Sequence, residues 1–292
     1  FGDMALAFCL KELQSKHNVR LTVYGEFLEA HPPEYEVEIA ENSSWSCVHG
    51  VERWRADCGC CSGGHPGWHQ KWRAPLRKAL DALRDSLAEV FEREMAPLFR
   101  DPWEARDGYI DVILDRSPKT INQFFKRFAS SSLNESQKIK ALHLFEMQRH
   151  AMLMYTSCGW FFDEISGIET IQILQYAAKA LQLQKEVTGE DISFDFVRRL
   201  KEAPSNRSEY GNGANLFREK VLSAVLDIQR VGAHYAIMSL FEEFPETLDI
   251  YCYEVSRKAY VLWEQAQTKL AFGEIVVRSK ITDEQRNLFF SV

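Results

Sequence analysis

The spacing of apolar residues changes character three times along the chain. In residues 1–41 the pattern alternates in type: 4–16 read as an amphipathic helix, 19–24 as a strand, 26–30 as a helical turn and 35–39 as a second short strand after Pro32 and Pro33. Such β/α punctuation belongs at the end of a β/α sheet or barrel, and it is too short to fold alone. Residues 42–73 show no period. From Pro75, which suits a first helical turn, Leu76, Leu80, Leu83, Leu87, Phe91 and Met95 recur three or four residues apart, the spacing of one helix face. Further helical patterns cover 102–115, 118–129, 135–155, 165–186, 192–201 and 212–243, with Asn134 and Asp191 as N-caps and Gly189 as a stop. After Pro245 the segments 249–255, 269–280 and 286–292 carry β-branched and aromatic residues in near alternation, interrupted by Gly273. They predict two or three antiparallel strands, the last unfinished. Residues 204–213, rich in Ser, Asn and Gly, read as a mobile loop.

These patterns predict a mainly α protein, α+β overall. A Trp- and Cys-rich loop plus a helical bundle-like domain (42–245) follows a short β/α barrel remnant (1–41) and precedes the start of a β-rich segment (246–292). Composition narrows the partners. A net charge of −7 argues against nucleic acid, whose phosphates call for a basic face. No apolar run approaches the ~18 residues of a membrane span; the longest, 151–162, runs into Asp163 and Glu164. No signal peptide is present, but the chain opens at Phe1 inside a helix-like pattern and stops in a strand-like one, so both ends read as cut. Seven cysteines in a large acidic chain do not suggest a secreted disulfide framework, and a reducing cytoplasm is expected.

The candidate chemistry concentrates in residues 45–73. These 29 residues hold four of the seven Trp and four of the seven Cys, a bias that a plain packed core does not require. One reading is a sugar-binding surface: Trp faces stack on the apolar faces of pyranose rings while polar side chains bond the hydroxyls. Trp45, Trp54, Trp68 and Trp72, with His49, Glu52, Arg53 and Asp57, supply those groups. The bland alternative is that the tryptophans anchor a long loop on the helices. A second reading is metal. Cys47-x-His49 and Cys58-x-Cys60 offer four ligands for zinc or an iron–sulfur centre, with Cys61, His65 and His69 in reserve, although one-residue gaps are geometrically less favourable than the usual C-x2-C. Buried free thiols are its bland counterpart, and cysteine catalysis with His49 as base is a further option. A helical interaction module that docks a partner is the remaining class. A second patch, 154–164, places Tyr155, Trp160 and Asp163 beside Glu164. The carboxylate pair reads as a helix N-terminus by default and as a second cleft wall otherwise. His143 and His150 lie on helix-like stretches and read as structural.

Two stretches, SWSCVHGVERWRADCGC followed by GGHPGW, and MYTSCGWFFDEISGIETIQILQYAA, resemble the region of unknown function appended to glycoside hydrolase family 57 proteins, which are labelled α-amylase/α-mannosidase-like. The resemblance covers nearly the whole chain. The opening FGDM is similar to the residues just past the family's Asp-Gly-Glu segment, which carries the general acid; that segment and the upstream nucleophilic Glu are absent, so no catalytic residue is assigned here. The family implies a retaining hydrolase or 4-α-glucanotransferase acting on α-glucans or related polysaccharides, with an incomplete β/α barrel. The VHGV at 48–51 resembles a His-Gly segment lying against the family's active site, which makes His49 the first choice for a substrate contact. The resemblance thus implies an accessory, cleft-forming region, not competent alone, whose partners are a poly- or oligosaccharide and its own upstream catalytic domain. No cofactor is expected on that reading; zinc or an iron–sulfur cluster is expected on the metal one.

Overall fold

A computed structural model describes residues 1–17 and 19–292, which divide into two compact units, Phe1–Ser43 and Ser44–Val292. The first unit holds two helices, α1 (Gly2–Lys16) and α2 (Tyr24–Ala30), as the apolar spacing predicts. The strands expected at 19–24 and 35–39 do not form among its described residues. A strand is stable only when a neighbour takes up its N–H and C=O groups, and neither segment has one. None of the described residues of this unit is buried.

The second unit takes in both the helices and the sheet. Helix α3 (Arg73–Met95) buries Leu76, Ala79, Leu80, Leu83, Leu87, Val90, Phe91 and Met95, the stripe visible in the sequence. Each fully buried Leu or Phe contributes about 1.5–3 kcal/mol, so this one face holds much of the core. Helices α4 (Pro102–Gly108), α5 (Ile110–Leu114) and α6 (Pro118–Phe128) follow, then the long α7 (Glu135–Leu153) and α8 (Ile168–Thr188). Helix α7 packs along α8, and α3 packs on α7 and on α9 (Ser193–Leu200). Phe91, Phe99, Tyr109, Phe124 and Phe145 form an aromatic centre of edge-on and stacked rings. Asn134 caps α7 through a full capping box with Gln137, and Gly189 ends α8 in the left-handed region at φ 75°. Asp191 does not become the N-cap of α9, which is Ile192, but its carboxylate accepts from the Ser193 N–H in the same first turn. The helix expected over 212–243 is divided. Helix α10 (Gly213–Leu216) runs into a π turn (Phe217–Val221) and a 3-10 turn, and Asp227 then caps a new helix, α11 (Ile228–Met238).

Four strands complete the unit: β1 (Thr247–Ile250), β2 (Tyr253–Gln265), β3 (Thr268–Ser279) and β4 (Gln285–Ser291), an antiparallel meander in chain order. The single strand expected at 249–255 is split where Tyr251 turns at φ 54°, and β2 extends far past it. Tyr253, Val255, Ile275 and Val277 point from the sheet onto Ile228, Val231 and Tyr235 of α11. Gly232 permits this approach: a Cβ there would stand 2.5 Å from Leu288 Cδ1. No helix of the described residues is long and apolar enough to cross a membrane.

Candidate functional site

The loop that precedes α3 is built from tight turns. The Gly50 N–H donates to the Cys47 carbonyl at 3.1 Å, and Gly50 takes φ 75°, a conformation only glycine adopts without strain. The turn brings Cys47 Sγ within 3.9 Å of His49 Nδ1. Gly59, at φ 76°, makes the equivalent reversal between Cys58 and Cys60, so a one-residue gap suffices to direct both thiols at one point. Cys60 Sγ lies 3.8 Å from Cys47 Sγ and 3.5 Å from His49 Nδ1, and Cys58 Sγ lies 3.9 Å from Cys47 Sγ. The four groups predicted from the sequence as possible metal ligands therefore converge, each within 4.8 Å of the others. Cys61, His65 and His69 stand outside the cluster. Burial pushes the Cys47 thiol up, but the backbone N–H groups of His49 and Arg53 and the His49 ring more than offset it, and its pKa falls to about 7. Burial and the neighbouring sulfurs hold the Cys60 thiol above its ordinary range.

Two buried arginines fix this loop to the segment before α8. Arg53 donates to the carbonyls of Phe161 (2.8 Å) and Ser46 (3.0 Å), with its guanidinium 4.4 Å from the Phe161 ring centroid. Arg73, fully buried at the start of α3, donates to the carbonyls of Phe161 and Phe162 at 3.1 Å and reaches Cys58 Sγ at 3.7 Å. Burial makes the Arg73 guanidinium somewhat easier to deprotonate than usual, against the pull of Cys58. The carboxylates Asp163 and Glu164 are buried tethers rather than a helix-terminal pair. Asp163 accepts from the Ser62 N–H (2.9 Å), the Ser62 hydroxyl (2.6 Å) and the Gln70 side chain (3.1 Å). Glu164 accepts from the Ser205 hydroxyl and from the Asn206 N–H at 2.7 Å. Asn206 then grips the His69 backbone twice, at 3.1 and 2.9 Å, so the loop expected to be mobile is a clasp. Nothing in the sequence marks Ser62, Gln70, Arg73 or Asn206 for these roles, because apart from Cys58 their partners lie 42 to 137 residues away.

The predicted sugar-binding residues divide by exposure. Trp72 and Trp160 are core residues, stacked at 6.3 Å, and Trp72 Nε1 donates to the Asp163 carbonyl at 3.0 Å. Arg53 and Asp163 are also buried, Arg53 bonding carbonyls of Ser46 and Phe161 and the Asp163 carboxylate accepting from Ser62 and Gln70 at the floor of the depression described below. Trp54 is half-buried and donates to the Ser157 carbonyl at 3.0 Å. Tyr155 is half-buried and donates to Asp81 at 2.7 Å; burial and that carboxylate raise its pKa. Glu52 accepts from Arg55, which holds its carboxyl below the usual range, and Asp57 accepts from the Gln70 N–H at 2.9 Å. Trp45 is 91% exposed and stacked 6.0 Å from Phe161, and the exposed His65 stacks at 3.8 Å on Trp68, which is itself half-buried. His65 and Trp68 line a surface depression of about 380 Å³ together with Phe162, Glu169 and Arg207. His49 turns Nδ1 to the thiols.

A second titratable cluster lies where the helices meet the sheet. His143 of α7 places Nε2 3.4 Å from Glu186 of α8 and 3.3 Å from Glu284 of the β3–β4 connection, and Nδ1 2.8 Å from the Ile139 carbonyl. Burial alone would lower its pKa; the two carboxylates and the carbonyl outweigh it and raise the pKa to about 9. The helical setting expected for His143 is present, but the carboxylates that hold it come from other elements.

Residues 68–292 match the model of a family described as "Domain of unknown function (DUF3536)". No curated protein and no solved structure matches the chain.

Proposed function

The chain belongs to the DUF3536 family, and we propose that it is an accessory, glycan-facing region of a carbohydrate-active enzyme of the family 57 glycoside hydrolase kind. The observation that carries this reading is the open aromatic surface of the 44–72 loop. Trp68, stacked on His65, borders a depression shared with Phe162, Glu169 and Arg207, while Trp45 lies exposed against Phe161. An aromatic face beside a carboxylate and a guanidinium is the chemistry that recognises a pyranose: the ring takes its C–H face and the charged groups take its hydroxyls. Tethers at the buried Asp163 and Glu164 and the half-buried Asn206 hold the surface in one shape, which lowers the ordering cost of binding. Its catalytic pair would belong to an upstream barrel, with this region forming a wall of the cleft.

The test is a fluorescence titration of the chain with maltooligosaccharides. Saturable quenching is expected, weakened about tenfold in Trp68→Ala and in Trp45→Ala, given the worth of one stacked aromatic. The same preparation is expected to release no reducing ends from starch. Absence of quenching, or equal quenching in both variants with their circular dichroism unchanged, would overturn the binding role. Turnover of starch would overturn the accessory one.

A further inference from the structure

We propose that Cys47, His49, Cys58 and Cys60 bind a single zinc-class divalent ion that holds the 44–72 loop together. The inference goes beyond the glycan reading and does not depend on it. Its basis is the size of the cluster. An ion bonded tetrahedrally at about 2.3 Å to sulfur and about 2.0–2.1 Å to nitrogen spaces its ligands about 3.8 Å apart between sulfurs and about 3.6 Å between sulfur and nitrogen. The chain presents sulfurs 3.8 and 3.9 Å apart and sulfur–nitrogen pairs at 3.5 and 3.9 Å. These are four of the six edges of one such tetrahedron, the other two lying within 4.8 Å, formed by side chains from two separate turns.

Other uses of the same residues fit less well. A disulfide needs sulfurs about 2.05 Å apart, well inside the 3.8 Å found between Cys60 and Cys47. An iron–sulfur cluster distributes its protein ligands over two or more irons, with inorganic sulfide between them. Four ligand atoms that all lie within 4.8 Å of one another leave room for one ion. Three thiolates and an imidazole are a soft donor set that suits zinc over the hard divalent cations.

The surrounding charge is a second, independent observation. Arg53 and Arg73 are 5% and 0% exposed, and both donate to backbone carbonyls instead of a carboxylate. Asp163 acts on Arg73 from nearby but bonds neither arginine, and buried cations without a bonded counter-charge are costly. A divalent ion with three thiolates and a neutral imidazole carries one net negative charge, and Arg73 already hydrogen-bonds Cys58 Sγ at 3.7 Å. Binding converts three thiols to thiolates and releases their three protons to solvent. Gly50 and Gly59, both at positive φ, supply the two reversals that aim the ligands.

The test begins with the purified 292-residue chain, prepared with zinc in the medium and without chelator. Elemental analysis is expected to give one zinc per chain and no acid-labile sulfide. Replacement by cobalt(II) is expected to give thiolate charge-transfer absorption and the intense visible bands of tetrahedral coordination. Cys58→Ser and Cys60→Ser are each expected to lose the ion, while Cys61→Ser, an exposed neighbour outside the four, keeps the full equivalent. Because a ligand variant can fail to fold, a mercurial titration of the unaltered chain is included, in which zinc release tracks modification of the cluster thiols. Chelation is expected to open the 44–72 loop to trypsin at Arg53 and Arg55 while α3 to β4 stays protected. Substoichiometric metal, iron with labile sulfide, full zinc in the Cys58 and Cys60 variants, or a disulfide from Cys47 in the fresh protein overturns the proposal.

Discussion

Gly159 shows how little room single positions leave around the site. It sits in the 3-10 turn Ser157–Trp160, which delivers Trp160 to the core and the Ser157 carbonyl to Trp54. A Cβ at Gly159 would stand 2.5 Å from Ile173 Cγ2 and 3.1 Å from the Glu169 carbonyl, so both must shift. Gly159→Ala is therefore expected to cost about 1–3 kcal/mol, as overpacking does, read as a lower urea midpoint. Gly64→Ala, where an added Cβ meets nothing within 4 Å, is expected to leave the midpoint unchanged. Equal midpoints for the two variants would refute the packing account. At this scale the sequence was partly legible. The density of Cys and Trp pointed to residues 45–73, and the four candidate ligands do converge. Which tryptophans face outward was not legible, because Trp45 and Trp72 look alike in sequence and differ only in what packs over them.

Elements follow the sequence where a local signal fixes their ends. Helix α7 begins at Asn134, whose side chain accepts the Gln137 N–H at 2.9 Å while Gln137 returns the bond to the Asn134 N–H, also at 2.9 Å. Asn134→Ala removes the acceptor of the Gln137 N–H and is expected to cost about 1 kcal/mol, measured by chemical denaturation. Asn134→Ser, which keeps an acceptor, is expected to recover most of the loss; no recovery would mean the cap is not what stabilises the start of α7. Where the signal is non-local the sequence reading failed. Among the described residues, segments 19–24 and 35–39 have strand composition but pair with no neighbour, and they stay irregular apart from Tyr24, which opens α2. The 212–243 stretch keeps a helical period, yet the chain extends at Val225 and restarts at Asp227, whose carboxylate caps Arg230 at 2.7 Å. That cap was a readable signal, outweighed by the apolar spacing on either side of it.

For the 44–292 unit as a whole, His143 links the helices to the sheet connection through Glu186 and Glu284. Its pKa rises from 6.5 to about 9 on folding, so its contribution is complete below pH 6.5 and is lost as pH climbs through 9. The amount is on the order of 3 kcal/mol, as a shift of this size implies. Unfolding free energy measured from pH 6 to 10 is expected to fall more steeply in the unaltered chain than in His143→Gln. Parallel profiles would remove the imidazolium from the account. The sequence by itself determined the fold class, the apolar stripe of α3, the start of α7, the stop of α8 and the antiparallel pattern after Pro245, because each is written in neighbours a few residues apart. It also located the 45–73 cluster, since composition needs no geometry. Tertiary structure alone decided that Asp163 and Asn206 hold that loop, that Arg73 meets Cys58, and that Trp68 stays at the surface while Trp72 is buried. Those outcomes depend on which remote segments cover or bond a side chain, and burial and long-range hydrogen bonding leave no periodic trace in the chain.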